Sequence, residues 1–177
     1  MRRAIQTLSL PAPAASHLEE IIERLLPARA DAEPLVNWPG AEARRYRDTL
    51  YLMPASADVS FESGQGLNDQ SVRIGPGLGD LMLVSGAGPG LSKATVAAGL
   101  SLRKRQGGEE IKPVGQSYTR KLKKLLQEEG VVPWRRDQLP LVYSGGNLVA
   151  VADLWIADDA AAENGLQIHW QGRPQLY

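Results

Sequence analysis

Apolar residues in this chain occur in short runs that are separated by glycine-rich turns, and this pattern limits the fold more than any other feature. The clearest example is the pair of runs 139–143 and 147–151 on either side of Ser144-Gly145-Gly146, which is typical of a β-hairpin. Such strand-like runs outnumber the helical patterns along the chain. The sequence therefore predicts an α+β protein with mostly antiparallel sheets and a few packed helices.

Two segments have the spacing of amphipathic helices. Residues 16–26 begin with Ser16 in the N-cap position, and Glu19 is expected to complete a capping box with it. Residues 119–129 form the second segment, in which Gly130 follows the last apolar residue as a C-terminal glycine does. We expect one helix in each half of the chain.

A polar stretch separates these halves. Residues 54–69 are rich in serine, alanine, glycine and aspartate and show little periodicity, which is typical of a connecting segment. The sequence therefore predicts a first domain over residues 1–62, with helix 16–26 plus strands, and a second domain over residues 66–177.

The composition excludes several classes of protein. The 177 residues are 43% hydrophobic with a formal net charge of zero, unlike a disordered chain. The chain contains neither a run of about 18 apolar residues nor an apolar segment after Met1, so we expect no membrane span and no signal peptide. Cysteine is absent, which removes disulfides and thiolate chemistry and suits a reducing compartment. We expect a cytoplasmic protein.

The zero net charge conceals a basic region. Residues 101–136 carry ten cations and four anions, so this segment has a net charge of +6 and the remainder has −6. A basic stretch is expected of a protein that binds a polyanion such as RNA. A solvated charged face is the alternative interpretation.

The charges of the second predicted helix oppose its macrodipole. Arg120, Lys121 and Lys124 lie near its start, whereas Glu128 and Glu129 lie at its end. The dipole favours the reverse order by roughly 0.3–1 kcal/mol per charge. A negative partner accounts for this order, because cations and exposed amides at a helix start attract phosphate. The alternative is that the order is accidental.

Arginines also alternate along two predicted strands. Arg103 and Arg105 lie on one face of strand 98–105, about 7 Å apart, which is close to the spacing of phosphates along a nucleic-acid strand. The same rule places Arg45 and Arg47 on one face of a strand in the first domain and Arg44 on the other. Arginine presents a two-pronged donor that matches phosphate.

No catalytic constellation is visible. The chain lacks the common nucleophile, metalloprotease and nucleotide-binding motifs, and His17 and His169 are isolated. Ser144-Gly145-Gly146 is followed by Leu148-Val149 where a pyrophosphatase loop requires Asp-Ser. We expect no catalytic residue, no metal site and no cofactor in this chain.

The basic segment resembles a known family. Residues 103–113 match the R-x-R-x-G-G-E-x-I-x-P signature of the C-terminal domain of bacterial tRNA(Ile)-lysidine synthetases. Lys121-Leu-Lys-Lys-Leu-Leu-Gln-Glu and Val132-Pro-Trp-Arg135 follow in the family's order. Upstream, Trp38-Pro-Gly and Arg44-Arg-Tyr-Arg47 are similar to the family's middle, substrate-binding domain.

The resemblance implies a function. The full enzyme uses ATP to activate the wobble cytidine of the CAU-anticodon isoleucine tRNA and then attaches lysine. An N-terminal ATP-pyrophosphatase domain with a Ser-Gly-Gly-x-Asp-Ser loop performs this chemistry with ATP and Mg²⁺. The chain should therefore bind tRNA and partner that catalytic domain without catalysing ligation alone. The resemblance also implies a C-terminal domain similar in fold to one in the phenylalanyl-tRNA synthetase β subunit.

The resemblance assigns tRNA contacts to basic residues in both domains. These candidates are Arg103, Arg105, Lys112, Arg120, Lys121 and Lys124 in the C-terminal domain, and Arg44, Arg45 and Arg47 in the middle domain. Double-stranded RNA is read mostly through its shape, phosphates and 2′-hydroxyls, which suits exposed cations. Glu109 is expected to hold the Gly107-Gly108 turn. The alternative function is a protein-interaction module that docks an acidic partner, and the sequence leaves open whether the chain forms a homodimer.

Overall fold

The chain folds into two compact units. The computed structural model describes residues 1–29, 32–55, 61, 63–67 and 71–177. Contacts within the chain divide it into Met1–Asp58 and Val59–Tyr177. The predicted connecting segment, 54–69, lies partly outside the described residues. Phe61 and Leu67, which are described, are buried in the hydrophobic core of the second unit.

The first unit packs a helical segment on a small sheet. Its elements are helix α1 (Arg2–Thr7), helix α2 (Ala15–Glu20) with a π-helical turn over Ile21–Leu25, and strands β1 (Leu35–Trp38), β2 (Ala41–Tyr46) and β3 (Thr49–Pro54). The three strands form an antiparallel sheet in chain order. Ile21 and Leu25 are fully buried against the alternate residues Val36 and Trp38 of β1, as the two-residue period of a half-buried strand requires.

The predicted turn Trp38-Pro39-Gly40 is confirmed between β1 and β2. Gly40 has φ +82°, a conformation that glycine adopts without the steric cost that a β-carbon brings. The Trp38 indole Nε1 donates a 2.7 Å hydrogen bond to the Pro11 carbonyl. This bond fixes the segment before α2 against the sheet.

The start of helix 16–26 was predicted wrongly. The helix begins at Ala15, and the extended Ala14 is its N-cap, so Ser16 lies inside the first turn and cannot cap it. His17, not Glu19, reaches back, since its Nδ1 accepts the Ala14 backbone N–H at 3.2 Å.

The second unit contains mostly short elements. Its strands are β4 (Val72–Gly75), β5 (Gly79–Ser85), β6 (Gly90–Leu91), β7 (Ser101–Arg103), β8 (Glu110–Ile111), β9 (Arg120–Lys121), β10 (Leu141–Ser144), β11 (Asn147–Val151), β12 (Trp155–Ile156), β13 (Ala161–Ala162) and β14 (Leu166–Gln171). Its helices are α3 (Lys93–Ala97), α4 (Leu122–Glu129) and α5 (Pro133–Arg136), with a 3₁₀ turn over Asp158–Ala160.

Antiparallel pairing organises these strands. One sheet has the order β12-β11-β10-β7, another has β13-β6-β14-β5-β4, and β8 pairs with β9 in a separate ribbon. The predicted hairpin around Ser144-Gly145-Gly146 is confirmed as β10 and β11, with both glycines at positive φ, as a two-residue hairpin turn favours. The predicted α+β class, with mostly antiparallel sheets and few helices, is confirmed.

Two element boundaries in the basic segment differ from the prediction. The predicted strand 98–105 is limited to β7, because Gly99 takes φ +88° after α3 and Gly107-Gly108 turns the chain soon after Arg103. The predicted helix 119–129 begins only at Leu122. Residues 120 and 121 pair with β8 instead, and a ladder residue cannot also form the first helical turn.

Candidate nucleic-acid interface

A glycine turn connects β7 to β8, and Glu109 fixes it from within. Gly107 and Gly108 have φ of +89° and +87°, which favours glycine at both positions. Glu109 Oε1 accepts the backbone N–H of Gly107 at 2.9 Å and that of Gln106. The Glu109 side chain is only 8% exposed. Its expected role in holding the turn is confirmed.

Glu109 also joins the turn to helix α4. Its carbonyl oxygen accepts the backbone N–H of Leu122, the first residue of α4, at 2.8 Å. The adjacent pairs Glu110–Lys121 and Ile111–Arg120 form the β8–β9 ribbon. The turn, the paired strands β8 and β9 and the start of α4 are therefore connected to one another. We call residues 101–129, which contain them, the basic ribbon.

Arg103 is exposed at the end of β7 and lies over an aromatic ring. Its guanidinium carbon is 4.4 Å from the centroid of Tyr143 on β10, a cation–π geometry. Burial raises the pKa of Tyr143, the negative charge of Glu109 raises it further, and Arg103 opposes both effects. The ring orients Arg103 and leaves its N–H donors accessible.

Arg105 does not share a strand face with Arg103, because β7 has already ended. Its side chain is 14% exposed and lies between two carboxylates. Nη1 donates to Asp137 Oδ1 at 2.9 Å, and Nε is 3.7 Å from Glu109 Oε2. The predicted pair of parallel arginines on one regular strand is therefore wrong.

Arg120 lies in strand β9 rather than in helix α4. Its Nη2 donates to both carboxylate oxygens of Glu128, at 2.6 and 2.7 Å. This hydrogen bond raises the pKa of Arg120 and lowers that of Glu128. An acidic residue near the helix end thus has a structural partner, which accounts for part of the unusual charge order of this segment.

The predicted lysines differ in their surroundings. Lys112 forms a 2.7 Å ion pair with Asp158, and its carbonyl accepts the Asp158 backbone N–H. Lys121 and Lys124 are exposed, and neither forms a salt bridge with any residue that the structure describes. Both are therefore accessible cations of the basic ribbon.

Two of the three predicted arginines of the first unit bind groups of that same unit. Arg44 pairs with the buried Glu42 two residues before it on β2, at 2.9 Å. Arg45 Nη1 donates to the Leu26 carbonyl at 2.7 Å and to the Ala28 carbonyl, which ties the end of the helical segment to the sheet.

Arg47 is not on a strand, contrary to the prediction that it shares a face with Arg45. It lies in the turn between β2 and β3 with φ +54°. Its guanidinium is 5.2 Å from the Tyr46 ring centroid. The turn ends the alternation because the chain reverses direction there.

Sequence reasoning missed the partners of these cations. Asp137 lies 32 residues after Arg105, and Asp158 lies 46 residues after Lys112, so no local spacing could reveal either pair. Within the described ranges, His, Asp and Glu side chains nowhere gather in threes as a metal ion would need. The same residues include no helix long and apolar enough to span a membrane.

Two family models and several relatives match this chain. The family model described as the TilS substrate C-terminal domain matches residues 100–170, and that of the TilS substrate binding domain matches residues 1–51. Relatives named tRNA(Ile)-lysidine synthase include those of Methylococcus capsulatus, 31% identical over 96% of this chain, Serratia proteamaculans, 32% over 97%, and Vibrio cholerae, 36% over 88%.

The chain spans only 40%, 39% and 35% of the length of these three relatives. Both matched models belong to the same family, and one matches most of the first unit while the other matches residues 100–170 of the second. The chain therefore belongs to the tRNA(Ile)-lysidine synthase family, of which it contains the substrate-binding and C-terminal domains.

Proposed function

We propose that this chain binds tRNA, as the recognition part of an ATP-dependent ligase that attaches lysine to the wobble cytidine of the CAU-anticodon isoleucine tRNA. The names of its relatives and the two matched domains support a tRNA-related role. The expected partners are this tRNA and the catalytic domain of the same enzyme.

The basic ribbon is the observation that carries the proposal. Exposed Arg103, Lys121 and Lys124 belong to one substructure that Glu109 holds together through its side chain and its carbonyl. A rigid support reduces the entropy lost when these side chains meet phosphates. Cations that are oriented but accessible suit the backbone recognition of double-stranded RNA.

We place the ligation chemistry outside this chain. Ser144-Gly145-Gly146 forms the hairpin turn between β10 and β11 and is followed by Asn147-Leu148-Val149, so it offers no Asp-Ser pair for a pyrophosphate. ATP and Mg²⁺ would bind the catalytic domain. Arg103 and its neighbours would hold the tRNA without contacting the reacting cytidine.

A binding titration tests the proposal. We expect a transcript of the CAU-anticodon isoleucine tRNA to bind this chain more tightly than a tRNA with a different acceptor sequence. The logarithm of the affinity should fall linearly with that of the salt concentration. No measurable binding to either tRNA would contradict the proposal and favour the alternative, an acidic protein partner.

Paired substitutions locate the binding surface. Arg103→Ala with Arg105→Ala should weaken binding and lower the salt slope by roughly one unit per lost phosphate contact. Arg73→Ala with Lys93→Ala is the matched control, because both residues are exposed in the second unit outside the basic ribbon. Equal losses from the two pairs would show that net charge, and not the ribbon, determines binding.

A further inference from the structure

Arg105 is held by two carboxylates that differ sharply in exposure. The Asp137 side chain is 80% exposed and receives the direct 2.9 Å hydrogen bond from Nη1. The Glu109 side chain is 8% exposed and lies 3.7 Å away from Nε. The exposed Asp137 therefore forms a direct hydrogen bond with Arg105, whereas the buried Glu109 lies beyond hydrogen-bond distance.

The two carboxylates also differ in their freedom to move. Glu109 Oε1 accepts two backbone N–H groups of the turn, so displacing this side chain would leave both donors without their acceptor. Asp137 is the residue that ends α5, and its side chain can rotate into water. Water solvates the exposed Asp137 carboxylate when it leaves, and an incoming phosphate takes its place beside the largely buried Arg105 guanidinium, so the exchange leaves no buried charge without a partner.

We propose that Asp137 occupies the place on Arg105 that an RNA phosphate takes, so that this carboxylate competes with bound RNA and limits its affinity. This inference rests on the proposed function. Carboxylate and phosphate oxygens both accept the N–H donors of a guanidinium. Glu109, whose Oε2 is 3.7 Å from Arg105 Nε, is the positioning residue that stays beside Arg105 during the exchange.

The competition has a consequence for recognition. A phosphate must displace Asp137 before it can contact Arg105. A single phosphate contact therefore contributes less binding free energy than the same contact with an unpaired arginine would. An RNA that contacts Arg103, Lys121 and Arg105 together would still bind, because its other contacts persist during the exchange. Asp137 therefore favours an extended, correctly shaped RNA over an isolated phosphate.

The test measures the affinity for the CAU-anticodon isoleucine tRNA transcript at one ionic strength. Asp137→Asn should bind about three- to fivefold more tightly than the wild type, because the carboxylate that competes with phosphate, the exposed partner of this ion pair, has lost its charge. Glu163→Gln is the matched control, since it removes one negative charge from the exposed turn between β13 and β14. This control should change the affinity less than about 1.5-fold at physiological salt.

A double-mutant cycle assigns the effect to Arg105. In an Arg105→Ala background, Asp137→Asn should gain no more affinity than Glu163→Gln does. Thermal unfolding checks each variant, and if Arg105→Ala does not fold, Arg105→Lys replaces it and should also reduce the gain, because an ammonium lacks the two-pronged geometry.

The outcomes separate the two proposals. If the wild type binds tRNA and Asp137→Asn binds equally or more weakly, Asp137 does not compete with RNA, and only this inference fails. A full gain that persists without Arg105 would also overturn it. If the wild type does not bind the tRNA, the proposed function fails and this inference fails with it.

Discussion

Glu109 is the residue on which the turn between β7 and β8 most depends. Glu109→Ala removes the acceptor for the backbone N–H groups of Gln106 and Gly107. We expect the free energy of unfolding to fall by about 1–3 kcal/mol, the net contribution of two hydrogen bonds whose exposed donors would then bind water. Urea unfolding followed by circular dichroism would measure it.

The neighbouring glutamate provides the control for this substitution. Glu110 is exposed, so Glu110→Ala should change stability by no more than about 0.5 kcal/mol. Glu109→Gln retains an acceptor oxygen and should lose less than Glu109→Ala. Equal losses for Glu109→Ala and Glu110→Ala would show that the side chain of Glu109 does not hold the turn.

Individual residues differ in how well the sequence predicted their roles. The motif around Arg103 and Arg105 supplied the candidate side chains, and the role of Glu109 in the turn was predicted correctly. The sequence could not indicate that Asp137 holds Arg105, because that contact depends on how α5 packs beside the turn. Whether the nine predicted cations contact tRNA stays a prediction.

Helix α4 ends at a glycine in the left-handed conformation. Gly130 has φ +87° and follows Glu129 at the C-terminus of α4. Gly130→Ala should lower the free energy of unfolding by about 1–2 kcal/mol, because a β-carbon is strained in the left-handed region. Thermal unfolding of both proteins would give the difference.

Gly130→Asn is the matched variant, since asparagine tolerates the left-handed conformation better than alanine. The expected order of stability is therefore glycine, then asparagine, then alanine. Equal stability of the asparagine and alanine variants would contradict this explanation. If the two substitutions acted only through local packing, the stabilities of the variants would not be expected to follow this order.

Turn residues and apolar spacing predicted two elements correctly, whereas the capping signal at Ser16 and a boundary set by strand pairing were predicted wrongly. The β10–β11 hairpin follows from its turn residues, and the buried face of α4, formed by Leu122, Leu125 and Leu126, follows from apolar spacing. The start of α4 does not, because Arg120 and Lys121 pair with residues ten or so positions earlier in β8. Short-range periodicity cannot distinguish a helical turn from such a ladder.

At the scale of the whole molecule, the relevant property is the distribution of charge. The chain has 20 cations and 20 anions, yet residues 101–136 carry a net charge of +6. An evenly mixed surface of zero net charge would not attract RNA at long range, whereas a segregated one does. The similarity of the second domain to a phenylalanyl-tRNA synthetase domain stays a prediction.

Charge reversal separates the location of charge from its total. Lys121→Glu with Lys124→Glu should lower the affinity for the isoleucine tRNA at least about tenfold, since two phosphate contacts become repulsions. The control, Arg73→Glu with Lys93→Glu, has the same net charge, and both positions are exposed and outside the basic ribbon. It should lose much less affinity, because salt screens the effect of an exposed charge beyond about 10 Å. Equal losses in a filter-binding assay would mean that tRNA responds to the total charge, and the basic ribbon would then not be the interface.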